Sequence, residues 1–547
     1  MIKRIFSGKI NSITVAVAMV AFFSLISRFL GIFRDRILAG EFGAGDVLDV
    51  YYAAFRIPDL IFNLLVLGAL SAGFVPIFTS LLRNPLEKAK RIIFKKENQE
   101  AWTLANNIIN ILGIFLIIFC TLGIFLAPVL MKLIAPGFSG EKQELAATLT
   151  RIMFLSPLFL GFSSVFGGVL QSFKRFFVYS LSPVLYNIGI IIGALYFVPI
   201  WGIYGLAWGV TLGAFLHLLI QMPLVFKLGF RYKPLFNFKD KRVREIGKMM
   251  LPRTMSLAIS QINLVVITII ASTLASGSLT VFNLANNLQS FPVGIFGISF
   301  AVAAFPTLSA LAFNKKKLII NFSNTIRQIL FFVVPSTVLL ITLRAQIIRV
   351  VLGSGNFNWE DTILTIDTLG FFAISLFAQA TIPLLVRMYY ARHNSTTPFY
   401  IGLVSALVNV ILSIWFVNIY GVAGLALAFS LANIFNFVLL WTMFRVEIGN
   451  MDEVRILLST IKFSLAALAC GLTVQGMKYV IWPYVDMSTF LGVLTQGLIS
   501  GIAGLLVYLA FCSFLKSEEF FSFWEAIKRR LPTKKISTGD SGEARGI

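Results

Sequence analysis

Long apolar segments dominate this chain and alternate with short connections that carry most of its charged residues. A helix needs about 20 apolar residues to cross a lipid bilayer, and about fourteen segments reach that length. They cover approximately residues 12–39, 47–82, 101–132, 144–172, 176–198, 201–227, 245–275, 279–311, 321–353, 359–391, 397–418, 421–445, 454–482 and 488–515. The pattern predicts an all-α membrane protein with about fourteen transmembrane helices.

Lysine and arginine mark every second connection between these segments, which predicts how the helices are oriented. The basic connections are residues 83–96, 174–175, 227–248, 315–317, 387–392, 445–455 and 516–535. The intervening connections at residues 199–200 and 276–278 are short and uncharged. Because cytoplasmic loops are enriched in Lys and Arg, we expect an even number of spans with both termini in the cytoplasm.

Composition supports the membrane assignment and excludes several other classes of protein. Hydrophobic residues make up 58% of the 547-residue chain and charged residues 13%, although the formal net charge is +22. A soluble chain would carry about twice that share of charge, and a disordered chain would be far less apolar. A nucleic-acid partner is not expected, because such proteins lack apolar runs of this length. The 3 cysteines are scattered and there are 2 histidines, so neither a disulfide framework nor a metal site is expected.

Motifs for catalysis or nucleotide hydrolysis are missing from the sequence. There is no GxxxxGK[ST] phosphate loop, no HExxH and no GxSxG. Transport by this chain would therefore draw on an ion gradient, the membrane potential or the substrate gradient. We do not expect an enzyme, because a multi-span glycosyltransferase would need clustered carboxylates at a membrane face. The nearest pair, Glu360 and Asp361, resembles an ordinary solvated loop.

The chain also repeats itself after about 220 residues, which is about six spans. AGEFGAGDVL at residues 39–48 resembles ASTLASGSLT at 271–280, and GIYGLAWG at 202–209 resembles GVAGLALA at 421–428. Such a repeat predicts two pseudo-symmetric six-helix lobes with a central site between them. We expect an N-terminal lobe at 1–228, a basic cytoplasmic linker at 229–244, a C-terminal lobe at 245–446, two further spans at 447–516 and a basic cytoplasmic tail at 517–547.

Charged residues interrupt the first two spans, where burial of a charge is costly and marks a functional site by default. They are Arg28, Arg34, Asp35, Arg36, Asp49, Arg56 and Asp59. The planar guanidinium of arginine suits phosphate, so a cavity lined by Arg28 and Arg34 would bind an anion such as a pyrophosphate or a carboxylate. Two structural alternatives stay open: Arg34 could snorkel with its neighbours at the end of the span, and Arg56 could pair with Asp59 on one helix.

Several runs resemble a known family. They are SRFLGIFRD (residues 27–35), FGAGDVLD (42–49) and FRIPDLIFNLLVLGALSAGFVPIF (55–78), followed by similar runs at 170–176, 260–263, 291–309 and 387–398. With them the chain resembles the MurJ (MviN) family of lipid II flippases in the MOP exporter superfamily, over its first twelve spans. The resemblance implies a MATE/MOP-like fold and a location in the bacterial cytoplasmic (inner) membrane.

The resemblance also implies which residues serve the substrate. The candidate substrate-binding residues are Arg28, Arg34, Asp49, Arg56 and Asn287. The candidate hinge or cavity-supporting residues are Gly31, Ala39, Pro58, Gly68 and Thr280. Many members carry an arginine at the position of Asn287, and some carry another at the position of Phe62. The cavity should therefore be less cationic than in those members.

The activity implied by the resemblance is transport of lipid II, an undecaprenyl-pyrophosphate disaccharide-pentapeptide, to the outer leaflet by alternating access. The polyprenyl tail would stay in lipid along a groove at residues 447–516. No cofactor is expected beyond coupling to a monovalent cation or the membrane potential. Expected partners are lipid II, membrane lipids and proteins of cell-wall synthesis. The alternatives are a flippase for another polyprenyl-pyrophosphate glycan and an ion-coupled small-molecule exporter of the same superfamily.

Overall fold

The computed structural model describes residues 13–67, 73–82 and 98–530, and every regular element within them is a helix. The helices are α1 (Ile13–Phe42), α2 (Asp46–Phe62), α3 (Gln99–Ile134), α4 (Gly140–Ser172), α5 (Phe176–Trp201), α6 (Tyr204–Lys227), α7 (Lys241–Ser272), α8 (Ser278–Ala310), α9 (Lys315–Thr342), α10 (Trp359–Ala373 and Leu376–Ala391), α11 (Thr396–Tyr420), α12 (Val422–Ile448), α13 (Glu453–Tyr484), α14 (Phe490–Phe514) and α15 (Glu518–Arg530). The second helix continues through wider turns at Asn63–Leu67, and its last described turns are Val75–Leu81. A short helix, Arg344–Val351, follows α9.

Length and composition confirm a multi-pass membrane protein. Among the described residues, 10 helices are long and apolar enough to cross a bilayer, and α10, bent by 45° at its break, makes 11. The remaining predicted spans correspond to α1, α2 and α7, of which α7 contains the shorter apolar stretch Leu257–Ser272. The helices follow the order of the predicted segments, and the number of fourteen crossings stays a prediction.

Local backbone features recur in the two halves, as the sequence repeat predicts. The wider π-helical turns of α2 at Asn63–Leu67 have a counterpart in α8 at Val293–Ile298. The turn before α6 contains Gly202 with φ 59°, and the turn before α12 contains Gly421 with φ 57°. A side chain is strained at such positive φ, which is why both turns use glycine. The two six-helix groups therefore share helix order, the glycine turns before α6 and α12, and the widening of α2 and α8, whereas the wider turns of α5 at Gly193–Phe197 have no counterpart in α11.

Three asparagines of α3 hold the segment that leads into α7. Asn107 donates to the carbonyl of Asn237 at 2.9 Å and accepts from its backbone N–H at 2.8 Å. Asn106 donates to the carbonyl of Arg231 and accepts from the backbone N–H of Lys233, and Asn110 donates to two further carbonyls. These contacts satisfy backbone groups that form no helix, so the segment lies in a defined path along α3.

The last helices pack against the C-terminal group. The hydroxyl of Tyr508 in α14 donates to the carbonyl of Phe331 in α9 at 2.7 Å, and Gly504 leaves room for the side chain of Cys470 in α13. The first turn of α15 is fixed by the buried side chains of Glu519 and Arg327, which form an ion pair. The tail is thus helical over Glu518–Arg530, and residues 531–547 lie outside the described residues.

Candidate functional site: a cationic cavity in the N-terminal helices

A cavity of about 680 Å³ opens among α1, α2, α4, α5 and α6. Its lining contains Arg28 and Arg34, together with Asp59, Phe62 and His217. The structure therefore brings together the first two predicted arginines, and Phe62 lines the same cavity. Arg56, Asp49 and Asn287 do not line it, and each contacts another part of the interface between the two helical groups.

Arg28 is half-buried and forms no hydrogen bond or ion pair with any residue in the described part of the chain. Its guanidinium lies directly on the backbone of Gly294 in α8, so that a Cβ at this position would overlap it. Nearby, the rings of Phe29 and Phe291 meet edge to face with centroids 5.5 Å apart. The wider turns of α8 at Val293–Ile298 thus provide a flat backbone surface that supports an unpaired cation beside the cavity.

Arg34 is paired. Its Nε and Nη2 donate to Oδ1 of Asp35 at 3.0 and 2.7 Å, and its Nη1 donates to Oδ1 of Asn187 at 3.1 Å. The other carboxylate oxygen of Asp35 accepts from Nδ2 of Asn287 at 2.9 Å. Asp35 is 4% exposed, which contradicts the alternative that Arg34 and Asp35 are snorkelling interfacial charges. One carboxylate thus neutralises Arg34 and joins α1 to α8.

Asn187 of α5 completes the support of α1. Its Nδ2 lies within 3.2–3.3 Å of both the carbonyl and the hydroxyl of Ser27 and of the carbonyl of Pro183. A Cβ at Gly31 would come no closer than 3.9 Å to Asn187, so Gly31 faces this contact with space to spare. Pro183 has no N–H to donate to a carbonyl one turn earlier, and its own carbonyl accepts from Asn187 instead of being left to the helix alone.

Arg56 joins α2 to both α7 and α8. Its Nε donates to the hydroxyl of Thr268 at 2.8 Å, and its Nη2 donates to Oδ1 of Asn283 at 2.6 Å. No ion pair with Asp59 is formed, so the alternative of a local Arg56–Asp59 pair is wrong. Through these two contacts with neutral groups of α7 and α8, Arg56 fastens the two helical groups together.

Asp49 lies at the end where α1 joins α2, which the basic loops predict to face outward and which we call the outer end. The carboxylate accepts from the backbone N–H groups of Gly277 and Thr280 at 2.8 and 2.9 Å, and from the Thr280 hydroxyl at 2.8 Å. It therefore caps the first turn of α8 from the opposite helical group, where a negative charge also suits the helix dipole. Thr280, a candidate cavity support, instead serves this cap.

The outer end is closed by further contacts between the two groups. Asp46 accepts from Ser276 of the C-terminal group at 2.6 Å and, within its own group, from Lys142 at 2.5 Å. The backbone N–H of Asn356 donates to the carbonyl of Gly40 at 2.8 Å, and that of Ala44 donates to Asp361 at 3.0 Å. Behind them lies one apolar cluster to which both groups contribute, including the fully buried Ala39, Leu48 and Leu279. Together these contacts join the two helical groups at the outer end.

The remaining candidate positions have structural surroundings. Ala39 is fully buried in that outer cluster, where a larger side chain would separate its helices. Pro58 is buried inside α2, five residues before the wider turns begin. Gly68 lies outside the described residues.

A second cavity, of about 370 Å³, lies among α7, α10, α11 and α12. Its polar lining is neutral and includes Asn263, Asn409, Asn433 and Asn436. Asn409 donates to Asn263 at 2.8 Å. Among the described residues there is no group of three or more His, Cys, Asp or Glu that could hold a metal ion. Of these two cavities, only the N-terminal one therefore has charged lining residues.

Comparison with known proteins places the chain in a family. The sequence model described as "Lipid II flippase MurJ" matches residues 38–495. The chain belongs to the MurJ lipid II flippase family. Relatives named probable lipid II flippase MurJ include those of Thermotoga maritima (30% identical, covering 94% of this chain and 98% of the relative) and Vibrio cholerae (29% identical, covering 90% and 94%).

Solved structures agree with the MurJ assignment and with the wider fold. A structure titled lipid II flippase MurJ, inward closed conformation, matches with a TM-score of 0.73 and 27% identity over 94% of this chain and 100% of that one. An inward-facing MATE-family transporter of the MOP superfamily matches with a TM-score of 0.64 and 16% identity over 80% and 99%, which supports the fold alone. The predicted family and the MATE/MOP-like architecture are confirmed.

Several residues of this MurJ-family site were missed by sequence reasoning. Asp35 was noted only as one of the charges that interrupt the first two spans, and Asn187 was not singled out. Thr268 and Gly294 gave no local signal, because each contacts a residue more than two hundred positions away. The polar run containing Asn283, Asn286, Asn287 and Gln289 was the available clue that α8 faces other helices.

Proposed function

We propose that this chain is a flippase that carries lipid II from the cytoplasmic to the outer leaflet by alternating access. The observation that carries the proposal is the unpaired Arg28 beside the paired Arg34 in one cavity, in a chain of the MurJ family whose two helical groups are joined at the outer end. A pyrophosphate offers enough oxygens for both guanidinium groups, each of which presents a planar set of donors.

Substrate entry then follows from charge. Arg28 has no counter-ion to displace, so it meets the pyrophosphate first. Arg34 is released to the ligand only when its contact with Asp35 weakens. Because Asp35 also holds Asn287, this exchange loosens a contact between α1 and α8 at the moment of binding. Separation of the outer contacts at Asp46 and Asp49 then opens the cavity outward.

The membrane potential is the driving force we propose. In the empty cavity the charge of Arg28 is not neutralised, and an inside-negative potential favours the return of that positive charge to the inward-facing state. Each elementary charge moved across 100 mV is worth about 2.3 kcal/mol. No oxidation, group transfer or cofactor enters this cycle.

Placement in the membrane completes the proposal. We assign the chain to the bacterial cytoplasmic membrane with both termini inside, as the basic loops indicate. The groups at residues 1–228 and 245–446 act as the rocking lobes, with residues 229–244 as the linker between them. The polyprenyl tail lies along α13 and α14, residues 447–516, while residues 517–547 remain at the cytoplasmic surface.

The test is replacement of the resident flippase in a bacterium whose own copy can be depleted. We expect the chain to restore growth and the arrival of lipid II at the outer leaflet. Failure to restore either, with the protein present in the membrane fraction, would reject lipid II as the substrate. Restored transport of a different polyprenyl-pyrophosphate glycan in a matching depletion strain would assign the chain to that glycan instead.

A further inference from the structure

A separate charged cavity lies at the outer end, bounded by the short helix Arg344–Val351, α10, α13 and α14. Its volume is about 340 Å³. It shares no lining residue with the N-terminal cavity, and nothing in the proposed transport cycle uses it. Two helices outside the six-helix groups, α13 and α14, form one wall.

The lining of this outer cavity includes two cations, Arg349 and Lys478, and no acidic residue. The guanidinium of Arg349 lies 5.3 Å from the ring centroid of Trp359. Lys478 donates to the carbonyl of Thr342 at 3.0 Å and to Gln475 at 3.2 Å. Within the described chain neither cation forms an ion pair. Aromatic and neutral contacts thus hold two positive charges in place without balancing them, at the end of the protein where basic residues are usually scarce.

A buried amide in the same cavity has an unused acceptor. Gln346 is 7% exposed, and its Oε1 has no hydrogen-bond partner. The orientation of the amide is set by its neighbours: Gln496 donates to the carbonyl of Lys478 at 3.0 Å, so its oxygen faces Gln346 and accepts from Nε2 at 2.8 Å. The remaining oxygen of Gln346 therefore calls for a donor, because a buried polar group without a partner is costly.

We propose that this outer cavity binds the headgroup of an anionic glycerophospholipid of the outer leaflet, with phosphatidylglycerol as the ligand that fits. The phosphodiester lies between Arg349 and Lys478, and a glycerol hydroxyl donates to Oε1 of Gln346. A phosphate group alone satisfies the two cations but not the amide, and a zwitterionic choline headgroup brings a further positive charge and no donor.

The surface around the cavity suits a lipid at this depth. Trp359, Tyr479 and Trp482 line the cavity and are 58%, 73% and 62% exposed, as expected of aromatic residues at the level of the headgroups. Below them, the apolar Leu468 and Leu472 of α13 are 62% and 76% exposed and would contact the acyl chains. The same cavity therefore offers two positive charges, an amide oxygen that can accept from a hydroxyl group, and an adjoining apolar surface.

The test is a titration of the purified full-length protein in a neutral detergent with phosphatidylglycerol, phosphatidylcholine and inorganic phosphate, read by native mass spectrometry. We expect saturable binding of phosphatidylglycerol that neither of the others displaces at equal concentration. In the Arg349→Gln/Lys478→Gln variant, affinity should fall by about fivefold for each charge removed. The control variant Arg445→Gln/Lys462→Gln removes the same charge at the opposite end and should bind as the wild type does.

A second variant tests the hydroxyl contact. Gln346→Leu should weaken phosphatidylglycerol and leave phosphatidic acid, which lacks the glycerol headgroup, unaffected. Equal phosphatidylglycerol affinity in the wild type and the doubly substituted protein would overturn the proposal. So would equal binding of phosphatidylcholine, or displacement by inorganic phosphate, which would indicate a site for free phosphate. The unfolding temperature of each variant without lipid is measured and should match that of the wild type, so that a folding defect is not read as lost binding.

Discussion

Asn287 and Asp35 form a hydrogen bond of 2.9 Å between the two six-helix groups, and the same carboxylate pairs with Arg34 at 2.7 Å. Asp35 is therefore both the counter-ion of a cavity arginine and an acceptor for α8. An anionic ligand that binds Arg34 competes with Asp35. Asn287 is neutral, so it makes this link without adding charge beside the cavity.

Replacing Asp35 by Asn should make the cavity bind its ligand more tightly and release it more slowly. The variant removes the competing charge while keeping the side-chain shape, and a charged hydrogen bond is worth about 1.5–3 kcal/mol. We expect affinity for lipid II to rise by about tenfold or more and the translocation rate to fall. Binding to purified protein and transport in vesicles measure the two effects.

Asn287→Ala is the matched control for that experiment. It removes the link to α8 but leaves Asp35 paired with Arg34, so affinity for lipid II should stay close to that of the wild type. Tighter binding in both variants, or in neither, would contradict the role given to Asp35.

Gly294→Ala should impair transport by displacing Arg28. A methyl group at this position overlaps the guanidinium, which must then leave the backbone surface of α8. We expect weaker lipid II binding in Gly294→Ala and no effect of Gly476→Ala, since a Cβ at Gly476 meets nothing within 4 Å. In an Arg28→Ala background, Gly294→Ala should have no additional effect, and an unchanged effect there would show that it acts through another contact.

A cross-link at the outer end should stop transport reversibly. The side chains of Asp46 and Ser276 are exposed and 2.6 Å apart, on opposite helical groups. The double variant Asp46→Cys/Ser276→Cys should form a disulfide on oxidation. This disulfide should block transport of lipid II, and its reduction should restore transport. The native Cys120, Cys470 and Cys512 are buried, so each single variant serves as a control that oxidation should not affect.

Glu519 should matter far more to stability than its neighbour Glu518. Glu519 pairs with Arg327 where both side chains are 4% exposed, and removal of one partner of a buried pair costs about 3–5 kcal/mol. Glu518 is 61% exposed, and a surface pair contributes about 1 kcal/mol at most. Glu519→Ala should lower the thermal unfolding midpoint clearly and Glu518→Ala hardly at all; equal shifts would contradict this assignment.

The packing of α15 against the helices beneath it should change with pH only under acidic conditions. The hydrogen bond from Arg455 holds the pKa of the Glu518 carboxyl below its usual range. A carboxyl with a lowered pKa in the folded state contributes its stability at neutral pH and loses it as pH falls through that pKa. The fluorescence of Trp524 should therefore stay constant near neutrality and change only below about pH 4, the ordinary range of glutamate, and only slightly, because an exposed pair contributes little. A change near pH 6 would point to another group.

Sequence and structure agree on the spans but differ on what several polar residues contact. Apolar length and basic loops predict the helices because the bilayer imposes both. Arg28 and Arg34 were predicted to line a cavity because a charged side chain within a span is costly to expose to lipid. Asp49 and Arg56 looked similar, yet one caps α8 and the other binds Thr268 and Asn283. Their partners lie on the other six-helix group, and no local pattern reveals which distant helix a side chain will face.

The most direct measurement is the rate at which purified protein in vesicles delivers lipid II to the opposite leaflet, compared between the wild type and Arg28→Ala. Arg28 has no partner in the described chain, so the substitution should not unfold the protein, and both forms should show the same unfolding midpoint. We expect transport by the wild type that a membrane potential accelerates, and none above background by Arg28→Ala. Transport of lipid II by Arg28→Ala at the wild-type rate would contradict it.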